Sequence, residues 1–70
     1  TYRLYLDSVS SAEVIKRIKA AGWTHVRTKG SHQHFKHSHR SGITTVPHPK
    51  REIPIGTLKN IEKQSGVRLT

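Results

Sequence analysis

The spacing of apolar residues changes period once along this chain, from about 3.6 residues to two, and that change constrains the fold more than any other feature. Ser10-Ser11-Ala12-Glu13 opens the first segment, with Val14, Ile15, Ile18 and Ala21 on one stripe. Ser10 and Glu13 have the spacing of a capping box, and Gly22 supplies the left-handed residue that ends a helix. Trp23 is placed to fold back on the last turn. Lys16, Arg17 and Lys19 point away from the stripe, as a solvated face or a phosphate-binding one.

From Trp23 to Val46 the period is two, with Thr and Val enriched and turns marked by Gly30 and Gly42, which predicts three short antiparallel strands. Side chains alternate across a strand, so His32, His34 and Lys36 share one face of the middle strand while Gln33, Phe35 and His37 share the other. Phe35 is expected in the core between Val26 and Val46. Pro47-His48-Pro49 is expected to leave the sheet as a rigid loop, because proline lacks an N–H. Pro54 then falls near the first turn of a second helix with Ile55, Leu58 and Ile61 as its stripe and Gly66 as its end.

The order is helix, three strands, helix, and both helices need one face of the sheet to bury their stripes. The expected class is α+β, a double-stranded-RNA-binding-like α-β-β-β-α domain over residues 10–70. Residues 1–9 form an extension, in which Tyr2, Leu4 and Leu6 alternate as an extra edge strand would; an added terminal tail reads equally well.

Seventy residues with 13 Lys and Arg against four Asp and Glu carry a formal charge of +9. Self-repulsion on that scale costs stability, and an anionic partner is the natural compensation. Nucleic acid, an acidic protein and a lipid surface all qualify, but the lipid reading wants a basic amphipathic helix with large apolar residues, which is absent. There is no cysteine, hence no disulfide, thiolate metal site or thiol nucleophile. No apolar run of about 18 residues and no signal-peptide pattern occurs, so a soluble, cytoplasmic chain without a membrane role is expected.

With so few carboxylates, histidine is the abundant side chain able to exchange protons near neutral pH. RNA offers a reaction that histidine drives without a metal: a base removes the 2′-hydroxyl proton, the oxygen attacks the adjacent phosphate, and cations stabilise the added charge. His32 follows a Gly30-Ser31 turn, where Gly30 allows unusual backbone geometry or close approach of a phosphate. Lys29, Ser31 and Lys36 lie near it in sequence. His25, His37 and His39 read as surface residues of a basic stretch. The series His32, His34, His37, His39 also suggests zinc, but a regular strand aims 32 and 34 away from 37, so no metal or cofactor is expected.

Trp23 after Gly22, Lys29-Gly30-Ser31-His32 with Phe35-Lys36-His37, then Val46-Pro47-His48-Pro49 and Pro54-Ile55-Gly56-Thr57-Leu58 together resemble the HicA toxin family of bacterial toxin–antitoxin pairs, over about residues 10–67. The resemblance implies an mRNA interferase that blocks translation until a HicB-type antitoxin neutralises it. It maps the catalytic histidine onto His32. Many members carry a second histidine directly after it, where this chain has Gln33 and places a histidine at 34. The site expected is His32, with Lys29, Gly30, Ser31, His34, Lys36 and His48 in RNA-binding or supporting roles and His34 or His48 as general acid. The alternatives are a non-catalytic RNA-binding module and a domain that chiefly binds an acidic protein.

Overall fold

A computed structural model describes residues 9–70, and the edge strand expected within 1–8 lies outside them. The elements are α1 (Ser11–Ala20), β1 (Trp23–Lys29), β2 (His32–His37), β3 (Arg40–Pro47) and α2 (Ile55–Ser65). The strands form one antiparallel sheet in the order β1-β2-β3, the α-β-β-β-α arrangement expected from the two periods.

Helix α1 starts where Ser10, extended at φ −86° and ψ 160°, accepts the Glu13 N–H at 3.1 Å. That is one half of a capping box, because the Glu13 carboxylate turns instead to Arg17, 3.0 Å away on the exposed face. Val14 and Ile18 are fully buried. Ala21, expected on the stripe, is the exposed C-cap residue. Trp23 is buried as β1 begins, and its indole N–H donates to the Ser65 carbonyl at the end of α2. The large ring thereby joins the first strand to the last helix rather than closing α1.

In α2 the buried stripe runs Leu58, Ile61, Ser65, and Ile55 lies at its margin, 57% exposed. The expectation that Ile55 would be buried is therefore corrected: Ile53, just before the helix, takes the core position and donates its N–H to Val9. Gly66 ends α2 at φ 74°, a left-handed geometry that glycine adopts without penalty. Phe35 and Val46 from the sheet, Val14 and Ile18 from α1, and Leu58 and Ile61 from α2 make one core, so both helices cover the Phe35 face.

The ladders shift register twice, in β1 between His25 and Arg27 and in the β2–β3 pairing between Phe35 and His37, and Pro47 departs from its expected place. His25 pairs with Phe35 but Arg27 pairs with His34, so Val26 is an extra residue in β1. This bulge leaves Val26 49% exposed rather than in the core beside Phe35. Past the bulge the parity of β1 is reversed, and Arg27 and Lys29 join the face of His34 and His32. Pro47 in turn stays in the sheet, opposite His32 at the end of β3. Strand β3 is an edge strand, where a missing N–H costs no ladder bond. Its outer side is covered by α2, from which Gln64 Oε1 accepts the Thr45 N–H at 3.0 Å.

Candidate nucleic-acid interface and histidine site

The outer face of the sheet, opposite the helices, collects Arg27 and Lys29 from β1 and His32, His34 and Lys36 from β2. Of the sequence-expected residues, this face unites Lys29, His32, His34 and Lys36. Lys29 and His32 are direct cross-strand partners, joined by the two-residue turn Gly30-Ser31. Gly30 sits at φ 60° at the first position of that turn, where a tight hairpin asks for glycine, and a Cβ there would meet nothing within 4 Å. Backbone geometry thus accounts for this glycine.

The histidines separate by what their rings do. His37 Nε2 donates to the Ala21 carbonyl at 3.0 Å and its Nδ1 accepts the His39 N–H, so one ring ties the α1–β1 corner to the β2–β3 turn. His39 lies against the His37 ring. His25 bonds Thr28 across the bulge, and half-buried His34 bonds the Thr45 hydroxyl at 2.9 Å. Half-buried His48 reaches the Ser11 hydroxyl at 2.7 Å. The ring of His32 is exposed and hydrogen-bonds to no other described residue, which leaves it free to exchange a proton with a bound molecule. Among the described residues no three His, Asp or Glu side chains gather to hold a metal ion.

The segment after β3 closes on this turn. The His48 N–H donates to the Ser31 carbonyl at 2.8 Å, and the His48–Pro49 peptide is cis. Ser11 fixes the next residues twice: its N–H donates to the Lys50 carbonyl and its hydroxyl oxygen accepts the Lys50 N–H, both at 2.8 Å. Ser11 is buried in a chain whose polar residues are mostly exposed. It went unnoticed in the sequence because its partner is 37 residues away.

His32 and Lys50 stand at one side of a groove of about 330 Å³ between the outer rim of β3 and α2. Its α2 wall is Thr57, Asn60 and Gln64. Their 57, 60, 64 spacing is helical and sits one residue before the buried stripe 58, 61, 65, a signal legible once that stripe is known.

The architecture and the cationic, histidine-bearing sheet face define a small basic α+β domain of the double-stranded-RNA-binding-like type. Residues 11–67 match the model of a family described as the HicA toxin of bacterial toxin-antitoxin. The chain belongs to the HicA toxin family. Among solved structures it is similar to a chain of the "HicA3 and HicB3 toxin-antitoxin complex", at 32% identity and a TM-score of 0.76, covering 89% of this chain and 100% of that one. Among curated proteins none matches. No helix among the described residues is long and apolar enough to cross a membrane.

Proposed function

We propose that the chain is a metal-independent endoribonuclease toxin with His32 as the catalytic acid/base. The observation that carries this reading is the exposed, unengaged imidazole of His32 on a cationic face, directly across the ladder from Lys29. His32 removes the proton of a ribose 2′-hydroxyl, whose oxygen attacks the neighbouring phosphorus while the bond to the 5′-oxygen breaks and that oxygen takes a proton from water. Lys29 and Lys36 attract the phosphate and stabilise its added charge. Gly30 and Ser31 shape the turn that presents His32. His48 holds that turn through its N–H to Ser31, which favours a positioning role for it over general acid. Two of the described carboxylates are engaged elsewhere, Glu13 with Arg17 and Glu62 with the backbone of Leu69 and Thr70.

Purified chain incubated with mRNA in excess EDTA is expected to yield 5′-hydroxyl and 2′,3′-cyclic or 3′-phosphate ends. His32→Ala should lose roughly 100-fold or more of that activity while keeping its melting temperature. Undiminished cleavage by the folded variant would remove His32 from the chemistry. Salt-sensitive binding without cleavage from about pH 5 to about pH 9 would leave an RNA-binding module instead.

A HicB-type antitoxin is the proposed protein partner, supported by family membership and by the HicA3–HicB3 complex to which the structural relative belongs. An inhibitor with an acidic surface would exploit the charge that draws RNA to the His32 face. Cleavage should stop on adding the antitoxin and return when high salt weakens the complex.

A further inference from the structure

The groove between β3 and α2 differs in chemistry from the sheet face beside it. The sheet face presents charges, which suit phosphates. The α2 wall presents neutral hydrogen-bonding groups: the Thr57 hydroxyl and the Asn60 and Gln64 amides. Gln64 is already oriented, because its Oε1 accepts the Thr45 N–H and its NH₂ is left to donate elsewhere. The Asn60 amide is exposed and has no partner among the described residues, so its donors and acceptor are available together. Between these polar groups the lining is apolar, with Pro47, Pro54 and Ile61.

A groove whose accessible apolar lining is Pro47 and Pro54, edged by neutral donors and acceptors, suits a nucleobase. Single-stranded RNA is read by splaying bases out, packing their faces on side chains and hydrogen-bonding their edges. Resting on the ribonuclease reading, we infer that this groove holds the base of a nucleotide adjoining the phosphate at His32, and that Asn60, with Thr57, determines which base is accepted. The position follows from the wall His32 shares with the groove and from Lys50 beside it, which would take that nucleotide's phosphate. The paired donor and acceptor of an Asn amide discriminate bases by edge pattern, as two hydrogen bonds in fixed geometry do in other nucleic-acid readers.

The test uses the intact chain and four 2′-O-methyl homohexamers, one per base, which lack the attacking hydroxyl and stay uncut. Wild type is expected to bind the four with a spread of about tenfold or more, and Asn60→Ala to shrink that spread to about twofold. The dependence of affinity on salt, which counts phosphate contacts, should be unchanged. Thr57→Val, at a half-buried position, should narrow the spread in part, and melting curves check that both variants are folded. A wild type that binds all four equally, or an Asn60→Ala variant that keeps the full spread, overturns the inference. So does an unaltered spread combined with weakened HicB-type binding, which would make the groove a protein contact. Unmodified RNA run alongside tests the ribonuclease reading separately, since base selectivity in binding does not depend on cutting.

Discussion

The Ser11 hydroxyl lies 2.7 Å from Nδ1 of His48 and joins the start of α1 to the loop behind the His32 turn. The same hydroxyl oxygen accepts the Lys50 N–H, so one buried side chain holds two residues of that loop. Ser11→Ala removes the acceptor of the part-buried Lys50 N–H and the partner of His48, and is expected to cost about 1 kcal/mol, a fall of a few degrees in melting temperature. RNA cleavage should fall further than this loss of folded protein explains, because His48 and Lys50 lose their anchor. A melting curve unchanged from wild type would show that the bond carries no stability.

Lys29 is expected to act on RNA through charge alone. Lys29→Ala should weaken binding uniformly across RNA sequences and lower the slope of log affinity against log salt by roughly 1. Its exposed position predicts a stability change within about 0.5 kcal/mol. A salt titration that gives parallel lines for the two proteins would place Lys29 away from any phosphate.

The bulge makes a sharp contrast between two valines that both look like core in the sequence. Val46 is fully buried, and Val46→Ala should cost on the order of 2 kcal/mol. Val26 is half exposed, so Val26→Ala should stay within about 0.5 kcal/mol. Equal losses in denaturant titrations would mean that Val26 reaches the core after all.

Glu62 ties down the end of the described chain, its carboxylate accepting the backbone N–H groups of Leu69 and Thr70. These bonds, Leu69 first, hold its pKa below the usual glutamate value against an opposing effect of burial. The folded value lies below the unfolded one, so the stabilisation is complete above the ordinary glutamate range and is lost as pH falls through the depressed value. Between about pH 6 and about pH 3 the melting temperature of wild type should fall more steeply than that of Glu62→Gln, and the two should converge in acid. Parallel profiles would assign the acid loss to other groups.

Both helices and all three strands were legible because each buries one stripe whose period the sequence displays. What escaped depends on the pairing of distant segments. A one-residue bulge at Val26 carries no compositional mark, so alternation read through it puts every later β1 side chain on the wrong face. Pro47 reads as a strand breaker until β3 is known to be an edge, and Ile55 reads as core until Ile53 is seen to fill its place. His32 stands out through its Gly-Ser turn, and alternation alone sets it opposite His37, whereas its distinction from His48 comes only with the bonds that His48 makes. Asn60 and Gln64 look like ordinary solvent-facing helix residues until β3 lies beside them.

The bulge also sets what kind of change β1 tolerates. Val26 is the supernumerary residue, so deleting it would join His25 to Arg27 in regular alternation and leave Arg27 opposite His34 and Lys29 opposite His32. Deleting Thr28 instead would bring Lys29 opposite Gln33 and turn its charge to the other face of the sheet. Two one-residue deletions in the same short strand should therefore have opposite outcomes, the first sparing the cationic face and the second stripping it of Lys29.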